Sequence, residues 1–316
     1  MAKIGTILRL SGGEYEIVSR IGEGNYGVVW EARRAADGLG VAVKTVQTHA
    51  PEERVAYSSL ERKQIAEALR REIAFLGRFS PEEARRSHIV PMIDRGEHEG
   101  LPVMALALCD ESLSHVFARR KEGGEGFPFD GAALLRWLRQ IATALRTIHR
   151  TAPEAVVAAE DGGAPEILSL DPEEGRWAVR DLNFKNILVL DGDLFLTDFG
   201  TVKELRQALT RSVAGTPDWA APETLLPRTV EDGKPVYALT PRMDVYALGL
   251  AIHALVAGGP TEAQSFVYRF PHLNRPFGSV GGLTPEEKIR LAEDLRRLFQ
   301  PGGTTLLFGG GAGLPC

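Results

Sequence analysis

The sequence predicts an α+β fold in two lobes: a small β-rich lobe with one main helix, then a larger, mostly helical one. Three observations carry this. The first hundred residues are short β-branched runs separated by turn residues, with a single long helical pattern among them. After Leu108 the apolar periodicity changes to that of helices. The length, 316 residues, suits about two domains at roughly 150 residues each.

Composition narrows the class. Hydrophobic residues at 44% and charged residues at 25% match ordinary globular chains and argue against disorder. Lys and Arg number 37 against 42 Asp and Glu, a formal net charge of −5, and no basic run offsets it, so nucleic acid is not an expected partner. Two cysteines, Cys109 and Cys316, make no disulfide framework and point to a reducing, cytoplasmic setting. The longest apolar stretch, Val245 to Ala257, is too short to span a bilayer, and the N-terminus carries no signal-peptide pattern.

Residues 1–14 read as an N-terminal extension and 15–107 as the first lobe. Tyr15 to Ile21 and Val28 to Ala32 flank a glycine turn, and Val41 to Val46 is a third strand. A helix is expected over about Ser58 to Phe79, with Leu69, Ile73 and Leu76 on one stripe, then strands near Ile89–Asp94 and Val103–Leu108. The second lobe, 108–300, opens with a helix over Leu134–Ile148. A hairpin follows, Ile187–Leu190 and Leu194–Thr197, turned by Asp191-Gly192-Asp193. Val245–Val256 is apolar nearly all round and is expected to be buried. Residues 151–176 read as an insertion and 301–316 as a Gly-rich tail.

The chemistry-bearing residues come in order. Gly22-x-Gly24-x-x-Gly27 alone fits a dinucleotide fingerprint, a phosphate flap or a plain hairpin turn; the strand pattern that follows it disfavours the first. Lys44 ends the strand Val41-Ala42-Val43. Glu72 lies on the apolar stripe of the next helix, where a carboxylate needs a cation. Asp181, Asn186 and Asp198 are hard oxygen donors that suit a divalent metal and a general base.

Together the glycine loop, Val41-Ala42-Val43-Lys44, Glu72, Arg180-Asp181 with Asn186, Asp198-Phe199-Gly200, Gly215-Thr216-Pro217 and Ala221-Pro222-Glu223 resemble, in order, the eukaryotic-type (Hanks-type) serine/threonine protein kinase superfamily. The resemblance runs from about Tyr15 to Ala257. It implies a two-lobed kinase-like fold, ATP with Mg²⁺ or Mn²⁺, and a protein substrate offering Ser or Thr hydroxyls. It also implies roles. Ile21, Gly22, Gly24, Gly27, Val29, Ala42 and Leu188 would surround the nucleotide. Leu106 would be the gatekeeper and Ala107, Leu108 and Cys109 the hinge. Lys44 would hold phosphates and pair with Glu72, Asp181 would act as base, and Asn186 and Asp198 would hold the metal. Asp244 would anchor the catalytic loop. Thr216 would contact the base, and Arg180 with Lys203 would receive a phosphate on Thr210 or Ser212.

The chain departs from the pattern in places. Val179 replaces the family's usual His, and Asn183 replaces a lysine that touches the transferred group; Lys185 is expected to substitute for it. No Arg is assigned to pair with Glu223. A pseudokinase-like scaffold and a small-molecule kinase are the competing readings. The retained charges count against the first, and the Gly215–Glu223 platform against the second.

Overall fold

A computed structural model describes residues 2–24, 27–46, 58–123, 130–150, 177–205, 209–210, 215–216, 219–221, 229–231 and 234–257. The expected insertion 151–176, the tail 301–316, Ser212 and Glu223 lie outside the described residues.

Six antiparallel strands build the first lobe: β1 (Ile7–Leu10), β2 (Gly13–Gly24), β3 (Gly27–Arg34), β4 (Gly40–Thr45), β5 (Met92–His98) and β6 (Leu101–Ala107). Their order is β1-β2-β3-β4-β6-β5. The two ends of that order meet. Ser11 donates its N–H and its hydroxyl to the Arg95 carbonyl at 3.1 and 2.8 Å, and Gly12 donates its N–H to the Asp94 carboxylate at 2.8 Å. A Cβ on Gly96 would lie 3.1 Å from the Leu10 Cα, so only a glycine lets the strands approach this closely. The sheet thus rolls up around its own core of Leu8, Tyr15, Ile17, Val41, Val43 and Val103. This corrects the expected lobe boundary. Residues 7–10 are a strand of the sheet and not part of an extension, because Leu8 fills the roll; four residues are too few for periodicity to reveal.

Alternation along β4 then decides what faces where. Val41 and Val43 point into the roll, while Ala42 and Lys44 face the helix α1 (Ser59–Leu76). Helix α1 begins with a capping box, in which Ser58 Oγ accepts the Glu61 N–H and the Glu61 carboxylate accepts the Ser58 N–H. Its buried stripe is Ile65, Leu69, Glu72, Phe75 and Leu76; Ile73 is only half-buried. A short helix that periodicity did not reveal, α2 (Pro81–Arg86), carries a second capping box, Ser80 with Glu83. Strands β5 and β6 start later and earlier, respectively, than expected. They turn at Glu99 and Gly100, both with positive φ (51° and 75°), as a two-residue hairpin requires.

In the second lobe, β7 (Glu111–Ser112) leads into α3 (Leu113–Glu122) and α4 (Gly131–Arg150), and pairs in a small sheet with β9 (Ile187–Leu190) and β10 (Asp193–Leu196). The strand β8 (Trp177–Ala178) pairs with β11 (Lys203–Glu204). Three further strands, β12 (Leu209–Thr210), β13 (Thr229–Glu231) and β14 (Lys234–Ala238), form a sheet with β14 in the middle. Helix α5 (Arg242–Ala257) buries Met243, Ala247, Ala251, Ala254 and Leu255, while Val245 and Val256 are exposed, contrary to the expectation of burial all round. The small residues on its buried face allow the close approach to α4 that leaves the valines outside. Among the described residues no helix is long and apolar enough to cross a membrane.

Gly215 has φ +105°, and a Cβ on it would lie 2.2 Å from the Arg180 carbonyl oxygen, so no other residue fits there. Gly215→Ala should therefore lower the urea midpoint by an amount equivalent to about 1–3 kcal/mol, the usual cost of a residue forced into this region. Leu8, fully buried, should lose about 2–5 kcal/mol as Leu8→Ala in the same titration, whereas exposed Ile7→Ala should stay within about 0.5 kcal/mol.

Candidate active site

Directly opposed residues of a sheet share a face. Val29 lies opposite Lys44, and Ala42 opposite Leu106, so these four line the face turned to α1 and the second lobe. Leu188, on β9, packs against the same core from below. Gly24 and Gly27 face each other at the end of the β2–β3 hairpin. Gly27 is required by proximity: a Cβ there would lie 2.6 Å from the Thr45 carbonyl oxygen and 3.3 Å from Lys44 Cγ. The hairpin thus lies over Lys44. Gly22 has open space around it, and Ile21 is 52% exposed at the rim of the cleft. Ala107, Leu108 and Cys109 leave β6 toward the second lobe; Ala107 donates its N–H to the Pro91 carbonyl at 2.9 Å. Burial, then the Asp110 charge, pushes the Cys109 thiol up to about 12, so it is not a thiolate at neutral pH.

The centre of the cleft is an ammonium between two carboxylates. Lys44 Nζ lies 2.7 Å from Glu72 Oε2 and 2.9 Å from Asp198 Oδ1. Glu72 Oε1 accepts the Phe199 N–H at 3.0 Å, which places Phe199 beneath α1 in edge-tilted contact with Phe75. Burial opposes the Lys44 charge, but Glu72 and Asp198 outweigh it and its pKa rises. Burial pushes the Glu72 carboxyl up, against the pull of Lys44. Asp198 has φ 60°, a left-handed conformation uncommon for a side chain, which turns its carboxylate toward Lys44.

A second centre lies on the turn 180–186. Asp181 Oδ1 accepts the Thr216 N–H (2.9 Å), the Thr216 hydroxyl (2.8 Å) and Asn183 Nδ2 (2.9 Å). Asp181 Oδ2 accepts Asn186 Nδ2 at 3.0 Å. The turn is hung from α5. Asp244, 1% exposed, accepts the Val179 and Arg180 N–H groups, both at 2.8 Å, and His149 Nε2 at 2.8 Å. Arg180 itself has φ 74°, held by these bonds and by the close fit of Gly215. Thr197 donates its N–H to the Asn186 carbonyl at 3.0 Å, which brings the backbones of Asn186 and Asp198 side by side. Both side chains keep an oxygen with no hydrogen bond among the described residues, Asn186 Oδ1 and Asp198 Oδ2. Hard, neutral-plus-anionic donors of this kind fit Mg²⁺ shared with phosphate and water.

Of the remaining residues singled out from sequence, Lys185 is exposed, on the short turn Phe184–Asn186 that follows Asp181. Burial, then the charge of Arg180, pushes the Lys203 ammonium below its ordinary value. Thr210 lies in β12, paired with Tyr237. Sequence reasoning missed two residues: Asn183, expected to matter little, and His149, the half-buried partner of Asp244. The only signal for Asn183 was a polar residue between buried Leu182 and Phe184.

Comparison with known proteins adds to this geometry. Residues 176–266 match the model of the protein kinase domain, a stretch that holds Asp181, Asn186, Asp198 and Asp244. CBL-interacting protein kinase 25 of rice is 27% identical over 295 residues, which is 91% of this chain and 48% of that protein. Serine/threonine-protein kinase ATG1c of Arabidopsis thaliana is 24% identical over 78% of this chain and 27% of its own length. Serine/threonine-protein kinase AfsK of Streptomyces coelicolor is 27% identical over 78% of this chain and 25% of its own length. The chain therefore spans about a quarter to a half of the curated relatives it matches. The β-rich first lobe and the helices of the second agree with the bilobed fold of the matched family. The chain is thus similar over residues 176–266 to the protein kinase domain, and over most of its length to serine/threonine-protein kinases of plants and bacteria.

Proposed function

We propose that the chain is an active protein kinase that transfers the γ-phosphoryl group of Mg-ATP to Ser or Thr hydroxyls of a protein substrate. The observation that carries this reading is the Lys44 ammonium held by Glu72 and Asp198 together, because it joins the β-lobe, α1 and the metal-binding aspartate in one arrangement. A binding scaffold needs none of these buried charges. ATP supplies the phosphoryl group, and Mg²⁺ offsets its charge. The chain's own residues do the rest by position and charge. Val29, Ala42 and Leu188 sandwich the adenine, with Leu106 as gatekeeper and Ala107–Cys109 as the hinge. Ile21, Gly22, Gly24 and Gly27 close over the phosphates, and Lys44 contacts them. Asn186 and Asp198 offer their open oxygens to the metal. Asp181 orients the acceptor hydroxyl and takes its proton, and the exposed Lys185 offsets charge on the transferred group. Thr216, bonded to Asp181, supports the aliphatic hydroxyls of Ser or Thr rather than the phenolic hydroxyl of tyrosine as acceptors. In domain terms, 7–107 is the kinase N-lobe, and the C-lobe follows to about residue 300.

Arg180 and Lys203 supply two neighbouring cations below the site, and they are proposed to receive a phosphate on Thr210 or Ser212. Phosphatase treatment should then lower activity, and a Thr210→Ala/Ser212→Ala double variant should match the dephosphorylated enzyme. Equal activity in all three forms removes the switch.

Incubation with labelled ATP, Mg²⁺ and generic acceptor proteins tests the main reading. Asp181→Asn should reduce transfer by about 10³-fold or more, as loss of a catalytic group does. Lys44→Met should also abolish transfer while the fold persists, since the raised Glu72 carboxyl can take a proton once its cation is gone. Nucleotide binding without transfer in the wild-type chain would instead support the scaffold reading.

A further inference from the structure

Counting lone pairs on Asp181 separates its two oxygens. An ionised carboxylate offers about four acceptor sites. Oδ1 accepts three hydrogen bonds, two from Thr216 and one from Asn183, and is saturated. Oδ2 accepts one, from Asn186. The third donor on Oδ1 comes from the residue that departs from the family pattern. Asn183 is 4% exposed, and its amide orientation is fixed: its oxygen accepts the Lys185 N–H at 2.9 Å, so its nitrogen must face Asp181. The same nitrogen lies 3.2 Å from Thr216 Oγ1 and 3.3 Å from the Asp181 carbonyl oxygen.

We propose that Asn183 is a positioning residue: it clamps Asp181 Oδ1 together with Thr216, leaves Oδ2 as the proton-accepting atom, and at the same time caps the turn that carries Lys185. The inference rests on the kinase reading above. As the acceptor hydroxyl oxygen bonds to the γ-phosphorus, the bond to the bridging oxygen breaks, its electron pair leaves with ADP, and the hydroxyl proton passes to Oδ2. A neutral amide at 183 holds the base without competing for its charge. The positive charge near the transferred group then comes from Lys185, two residues on, whose backbone the same amide caps.

Two substitutions separate this role from plain capping of the turn. Aspartate caps as well as asparagine, so Asn183→Asp keeps the bond to the Lys185 N–H, although the charge it buries should lower the melting midpoint. It also sets a second carboxylate against Oδ1. It should lower kcat by about 10²-fold with the Mg-ADP dissociation constant unchanged, because the like charge displaces the base from the acceptor hydroxyl. Asn183→Ala should lower kcat by about 10–100-fold, with the Mg-ADP dissociation constant unchanged, since nothing in the nucleotide cleft is touched. Wild-type kcat in Asn183→Asp or in Asn183→Ala overturns the proposal while an inactive Asp181→Asn control leaves the kinase reading standing. Absence of transfer by the wild-type chain, or transfer that Asp181→Asn does not reduce, overturns that reading and this inference with it.

Discussion

The buried ammonium of Lys44 is the constraint on which the arrangement of the cleft depends. Taking a charge out of water costs several kcal/mol, and only partners of opposite sign at hydrogen-bond distance offset it. Those partners come from α1 and from the segment after β10, far apart in sequence. Satisfying Lys44 therefore fixes the tilt of α1 through Glu72 and the conformation of Asp198 through its carboxylate. Phe199 follows, because its N–H is the second ligand of Glu72, and its ring then fills the space beside Phe75. One electrostatic requirement thus orders two lobes and a strained backbone.

A second buried carboxylate does the same work for the lower half of the cleft. Asp244 projects from α5 and takes two successive backbone N–H groups, from Val179 and Arg180. Those groups sit on a turn whose geometry removes them from regular pairing, and a buried N–H without a partner is costly. His149 completes the set from the end of α4, so two helices converge on one aspartate. The left-handed backbone of Arg180 and the tight contact of Gly215 are tolerated because this anchor holds them. Asp181 inherits its rigidity from that turn and from the donors of Thr216, Asn183 and Asn186.

The first lobe supplies rigidity by another route. With β1 meeting β5 through Ser11, Gly12 and Gly96, the sheet holds a core of its own inside the roll, separate from the core it shares with α1. Lys44 is thus presented from a strand packed on both faces. The β2–β3 hairpin packs onto that strand through Gly27, fitted closely over the lysine it covers.

Much of this was legible in the residues alone. Period-2 runs and a glycine turn marked the sheet, a 3.6-period stripe marked α1 and α4, and Glu72 on an apolar stripe announced a buried cation by chemistry alone. The Asp191-Gly192 turn was equally plain, since few residues adopt positive φ twice in succession. What the sequence could not carry was contact across long separations. The strand at residues 7–10 was hidden because its partner in closing the roll lies more than eighty residues away. Asn183 looked like a lost lysine until Asp181, Thr216 and the Lys185 N–H surrounded it. His149 showed no sign of its role until α5 brought Asp244 to within 2.8 Å. Local periodicity and residue chemistry determine elements and candidate charges; which oxygen meets which donor is decided only when packing brings distant turns together.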